Sequence, residues 1–218
     1  MADSGLGYVS FAMVTFSAVF FVVDPFAVIP MFLSITAADS PARRRATALK
    51  ASIACTVTLL VFSVAGGLIF KLFGITMGAF RIAGGILLFL MALDMMRAQR
   101  SRVRTSPEEE SEGVEKADAA VIPLAIPMLS GPGAIATVTV LMSKAGGSVV
   151  RVAIVIATIV LTGFLTFILL RAATVLERTL KQTGLNILNR VMGLILAAVA
   201  VQFVVGGIHD VLPQIRGE

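Results

Sequence analysis

The chain alternates between long apolar runs and short polar interruptions. Six runs stand out, at roughly 8–35, 47–70, 76–97, 119–143, 149–170 and 187–208. Each offers about 20 residues with few charges, enough to cross roughly 30 Å of hydrocarbon as an α-helix. One long polar segment, RAQRSRVRTSPEEESEGVEKADAA, separates the third run from the fourth. It divides the chain into a first three-span unit (1–99), a charged linker (100–118) and a second three-span unit (119–218). The pattern predicts an all-α integral membrane protein with six transmembrane helices.

Composition agrees. The 218 residues are 57% hydrophobic and 14% charged, with a mean hydropathy of +0.96. A soluble domain of this size could not hide so much apolar surface. The N-terminus is not expected to be a cleaved signal, because Asp3 and no basic residue precede an apolar run that is too long. The single cysteine, Cys55, lies within an apolar stretch and reads as a small packing residue. No zinc spacing, P-loop or dinucleotide fingerprint is present, so no metal and no organic cofactor is expected.

The net charge of +5 reads as membrane topology rather than as a nucleic-acid surface, since Lys and Arg mark the cytoplasmic side. With the N-terminus outside, the inner segments collect Arg43, Arg44, Arg45 and Lys50, then Arg97, Arg100, Arg102, Arg104 and Lys116, then Arg171, Arg178, Lys181 and Arg190. The outer segments collect Lys71, Arg81, Lys144, Arg151 and Arg216. Thirteen against five places both termini outside. The expected location is the plasma (inner) membrane of a bacterium.

The two halves resemble each other. RIAGGILLFLMALDMM (81–96) aligns without gaps on RVMGLILAAVAVQFVV (190–205), matching Arg81 to Arg190 and Gly84 to Gly193. Upstream, DPFAVI (24–29) lines up with GPGAIA (131–136). The separations are 107 residues from Pro25 to Pro132 and 109 from Arg81 to Arg190, which argues for one duplicated unit. A three-span unit enters the membrane from opposite sides in its two copies, so the repeats would be inverted. Inverted repeats with Gly/Pro-interrupted segments at matching places point to a secondary transporter and to its binding site.

The interruptions carry the chemistry. Proline cannot continue a helix but suits the first position of a new one, and aspartate is a good N-cap. Asp24-Pro25 therefore reads as the start of a half-helix inside the first span, and Pro30 frees the carbonyl of Phe26. In PLAIPMLSGPGAIATVTV, Pro123 and Pro127 disturb the fourth span and Ser130-Gly131-Pro132 restarts it, with Gly131 and Gly133 leaving bare backbone. Open backbone at membrane depth survives only where it is buried or lines a cavity. Two half-helix starts offer amides to an anion such as a carboxylate, and the facing carbonyls suit an ammonium group. Together they describe a site for a small zwitterionic amino acid.

Asp24 has two readings: contact with an ammonium or a coupling proton, or only a cap on its own half-helix. The bland readings govern the other polar residues. Asp94 reads as an inner-end residue meeting water or basic groups. Arg81 and Arg190 read as snorkelling anchors at opposite interfaces. Ser34, Thr36, Thr137 and Thr139 could touch a ligand, but hydroxyls in membrane helices more often bond backbone. The pairs Gly66-Gly67, Gly84-Gly85 and Gly206-Gly207 read as close-packing sites. His209 sits at the outer end of the last span.

DPFAVIPMFLSIT followed by RRRATALKAS resembles the first signature of the MarC family of membrane proteins. PLAIPMLSGPGAIATV resembles its second, and RVMGLILAAVAVQFVVGGI its last span. The resemblance covers nearly the whole chain outside the linker. It implies likeness to small neutral amino acid transporters of the SnatA type, which move glycine and alanine. Carried over by motif, the implied substrate-binding residues are Asp24, Pro25, Phe26, Ala27, Gly131, Pro132 and Gly133. Ser130 and Thr137 join them from the reading of the second break. Phe26, Ala27 and Val28 depart from the commoner N/D-P-I-G-N-I-P pattern, removing a glycine and an amide at the first break.

The expected function is alternating-access transport of glycine, alanine and related small neutral amino acids, coupled to a proton, to sodium or to exchange. An exporter of another small metabolite or drug-like compound is the alternative. No ring of charge marks a channel, and the lone His209 has no serine motif facing it for a protease, so no enzymatic activity is expected.

Overall fold

A computed structural model describes residues 2–97 and 129–216. The linker at 100–118 and the start of the fourth span, with Pro123 and Pro127, lie outside the described residues. Seven helices account for nearly all the rest. They are α1 (Ala2–Val23), α2 (Pro25–Ile35), α3 (Pro41–Phe73), α4 (Met77–Met96), α5 (Pro132–Lys144), α6 (Val149–Arg171) and α7 (Ala173–Arg216).

Local chemistry sets the joints. α3 opens on Ser40, whose side chain accepts from the Arg43 amide at 3.3 Å, followed by Pro41 at the first helical position. It closes on Gly74 at φ 63°, a conformation that costs glycine nothing. Thr76 caps α4 by accepting from Ala79 N at 3.2 Å. Gly146 (φ 58°) and Gly147 (φ 75°) turn the chain from α5 into α6.

Among the described residues, five stretches are long and apolar enough to cross a membrane: Gly7–Ile35, Pro41–Phe70, Met77–Met96, Val149–Arg171 and Thr183–Leu212. Two boundaries differ from the hydropathy reading. Arg43, Arg44 and Arg45, expected in a loop, lie in the first turns of α3. Arg178, Lys181 and Arg190, expected in or beside another loop, lie inside α7. At 44 residues α7 is about 66 Å long, well beyond the hydrocarbon thickness. Its first turns extend past the apolar stretch because ATVLERTLKQ contains good helix formers and no proline.

The surface differs from that of a water-soluble protein, while the interior mixes an apolar core with small hydroxyls. Val57, Val61, Val64 and Leu68 of α3 and Leu194, Val201 and Val205 of α7 are at least half exposed. Thr15, Ser52, Ser63, Thr137, Thr139, Thr158, Thr162 and Thr166 are buried. This is the arrangement a lipid solvent favours: apolar side chains outward, small hydroxyls between helices.

The most extensive helix contact is antiparallel, between α4 and α7. Glycines let the backbones approach. A Cβ on Gly85 would lie 2.8 Å from Ala200 O and 3.0 Å from Val204 N. One on Gly207 would lie 2.7 Å from Gly78 O, and one on Gly193 3.0 Å from Ala92 O. α3 packs against α6 around Gly163, which faces the Thr56 side chain. α1 packs on α6 and α5, and α2 on α7 and α6.

Candidate functional site

The first helix break is one residue wide. α1 ends at Val23, α2 begins at Pro25, and Asp24 between them has φ 48° and ψ 70°. Among the described residues it is the only non-glycine with a positive φ. That left-handed conformation is uncommon, and Asp and Asn tolerate it better than most residues. The Asp24 amide still donates to Phe20 O at 3.0 Å, completing α1. Its Oδ1 accepts from Ala27 N at 3.4 Å, capping α2 with a long bond. The side chain is fully buried, at 0% exposure.

At the second candidate segment, α5 starts at Pro132. Gly131, at φ −63° and ψ 172°, stands at the cap position and supplies no side-chain hydrogen bond. Its carbonyl accepts from Ile135 N at 3.1 Å. The first-turn amides of α5 therefore lack the side-chain acceptor that Asp24 gives α2. Ser130 is buried beside them. Gly133 sits where a Cβ would press into Leu88 and lie 3.5 Å from Met91 Sδ, so α5 runs against α4 here without room for a side chain.

The α1–α2 break and the α5 start border one buried apolar cluster. Val22, Val23, Val28 and Ile29 enter it from the break, Leu129 and Ala134 from the α5 start, and Leu88, Met91 and Leu196 from α4 and α7. Pro25, Gly131 and Gly133 are buried, while Phe26, Ala27 and Pro132 are partly exposed. Phe26 meets Phe20 edge-on, ring centres 6.3 Å apart, across the break.

The hydroxyls follow the bland reading. Thr137 Oγ1 donates to Gly133 O at 2.9 Å and Thr36 Oγ1 to Phe32 O at 2.7 Å. Thr139 Oγ1 lies 2.8 Å from Ile135 O and 3.4 Å from Phe62 O. Each keeps lone pairs but has its proton committed. Ser34, Arg190 and His209 are exposed, and Asp94 is half-buried near the end of α4.

Arg81 corrects an expectation. It does not snorkel. Its side chain is 11% exposed and pairs with Asp210 of α7, in the space left by Gly206. Lys144 at the end of α5 shares this environment. Burial first, then the Arg81 charge, holds its ammonium below the ordinary lysine range, while Asp210 works in the opposite direction. The sequence offered no signal for this group, since Arg81 and Asp210 are 129 positions apart.

A second arginine site was equally hidden. Arg44 in the first turn of α3 donates to Thr36 O at 2.8 Å and to Thr174 Oγ1 of α7 at 3.0 Å. It ties the end of α2 to the start of α7.

A family model described as "MarC family integral membrane protein" matches residues 9–212. A UPF0056 membrane protein of Pyrococcus abyssi is 39% identical over 89% of this chain and 92% of its own length. The UPF0056 membrane protein YvbG of Bacillus subtilis is 39% identical, covering 94% of this chain and 97% of its own. YhcE of Escherichia coli is 35% identical over 91% and 92%. No solved structure matches.

Proposed function

The chain belongs to the MarC family of multi-pass integral membrane proteins, and from that premise we propose that it is a secondary transporter of small neutral amino acids. The observation that carries this reading is the helix break at Asp24-Pro25 and the α5 start at Gly131-Pro132, both bordering one buried cluster. The proposed substrates are glycine and alanine, with serine and threonine as larger relatives, as in the SnatA type.

The break and the α5 start divide the labour. The α5 start has no side-chain cap, so its amides receive the substrate carboxylate with the help of the helix dipole. The ammonium lies toward Asp24 and the Phe26 carbonyl, which Pro30 deprives of its helical donor. Gly131 leaves bare backbone at the α5 start, and Gly133 lets α5 pack closely on Leu88 of α4. A coupling proton or sodium ion would use the same Asp24 carboxylate.

Inverted repeats give the means of access, and the packing supports them. The contact of α3 with α5 has a counterpart in α2 with α6, and that of α4 with α5 in α2 with α7. The α4–α7 and α3–α6 contacts are then the self-matching pairs. The proposed unit is six spans, with the first and fourth discontinuous and the halves rocking about the breaks. Arg81, Lys144 and Asp210 gather at one end, Arg44 and Arg171 at the other. The basic excess of the second end favours it as the cytoplasmic one, with both termini outside in a plasma membrane. We read the protein as a carrier and not an enzyme.

An exporter of a larger, more apolar metabolite is the second reading. Phe20 and Phe26 favour it, because they place an aromatic face beside the first break.

The test is counterflow in proteoliposomes preloaded with unlabelled glycine and offered labelled alanine. Saturable uptake, reduced in Asp24→Asn, supports the assignment. Uptake untouched by the substitution leaves Asp24 as a cap. No counterflow of any small neutral amino acid by folded protein overturns the substrate class.

A further inference from the structure

A cleft of about 540 Å³ opens where α2 ends, α3 begins, α6 ends and α7 begins. Its size falls within the range of small-ligand sites, about 300–1,000 Å³. Asp39, Pro41, Arg44, Arg45, Arg171 and Thr174 line it. Three arginines share the lining with a single carboxylate, and that of Asp39 is already engaged, 3.4 Å from Arg43 Nε outside the lining.

The three arginines have different duties. Arg44 is fixed in place by its bonds to Thr36 and Thr174, and its Nε is buried without a protein acceptor. Arg45 and Arg171 are exposed, and among the described residues no carboxylate pairs with either. Two helices begin and two end at this point, so the helix dipoles offset one another and the positive charge of the cleft is that of the arginines. Converging guanidinium groups around one held in advance are the chemistry of phosphate recognition.

We infer that this cleft binds a phosphate group, and that its source is the headgroup of an anionic membrane lipid. The rim argues for a lipid over the free ion. Leu49 and Ile53 follow Arg45 at successive four-residue steps along α3, and they are 45% and 53% exposed. Val175, next to Thr174, is 66% exposed. A headgroup seated among the arginines would have apolar surface beside it for its acyl chains. Basic pockets between membrane helices serve lipids in this way. The inference does not depend on the transport assignment.

The experiment is native mass spectrometry of the full-length protein titrated with dioleoylphosphatidylglycerol, with dioleoylphosphatidylcholine as the zwitterionic control. The wild type should retain one phosphatidylglycerol in preference to phosphatidylcholine. The double variant Arg45→Gln/Arg171→Gln should lose roughly 30-fold in that affinity, as two near-surface arginines warrant. Arg45→Lys/Arg171→Lys should keep most of it. Melting without lipid checks the fold, and the single Arg171→Gln variant substitutes if the double variant is unstable. Excess inorganic phosphate should not displace the lipid. If it does, and labelled phosphate binds saturably without lipid, the source is the free ion. Equal retention of the two lipids, or unchanged affinity in folded glutamine variants, overturns the inference.

Discussion

Replacing Asp24 separates its backbone role from its charge. Its φ of 48° belongs to a region where an alanine pays about 1–2 kcal/mol. Its cap bond to Ala27 N is long, at 3.4 Å, so its loss costs about 0.5–1 kcal/mol, the low end for a cap. Asp24→Ala suffers both penalties and should lose about 2 kcal/mol. Asp24→Gly loses the cap but relieves the strain, and added freedom in the unfolded chain leaves it within about 1 kcal/mol of wild type. Asp24→Asn keeps a capping oxygen and tolerates the backbone, so it should stay within about 1 kcal/mol of wild type. The assay is thermal unfolding in one detergent, followed by circular dichroism. The expected order is Asn at least equal to Gly, with Ala clearly below both. Alanine as stable as asparagine would refute the strained-cap account.

The remaining predictions follow from packing and charge. Gly85→Ala should destabilise by about 0.5–2 kcal/mol, because overpacking against the α7 backbone, about 1–3 kcal/mol, outweighs the helix-propensity gain of about 0.5–1. Gly67→Ala, where nothing lies within 4 Å of the new Cβ, should be neutral or stabilising in the same melting assay. Asp210→Ala should cost on the order of 1–3 kcal/mol by leaving the mostly buried Arg81 unpaired, and the added change Arg81→Met should recover part of the loss. Lys144 holds its proton less tightly folded than unfolded, so its penalty is complete below its lowered value. That penalty is relieved as pH rises toward the ordinary lysine range, which melting of wild type against Lys144→Met across alkaline pH should display.

The parts of this molecule that were legible in its sequence are those governed by neighbouring residues. Asp24 before Pro25 and Gly131 before Pro132 declare helix starts within a few positions of chain, and the helices begin there. The glycines at 85, 193 and 207 declare close contacts without naming partners. Helix ends beyond the apolar runs were not legible, because Arg43 to Arg45 and Arg178 to Lys181 suit a helix as well as a loop. Hydropathy reports where lipid is, not where the backbone turns. The Arg81–Asp210 and Arg44–Thr174 contacts join residues 129 and 130 positions apart. Only the packing of α7 against the first half creates them.

The most direct test places a reporter beside the α5 start. In a Cys55→Ala background, Ser130→Cys is reacted with a membrane-impermeant maleimide in proteoliposomes, with and without alanine. Ser130 is 1% exposed, so under alternating access labelling requires the proposed halves to open. The account predicts slow labelling that alanine and glycine suppress and leucine does not. Labelling at the same rate with and without alanine would contradict the placement of the amino acid site between the α1–α2 break and the α5 start.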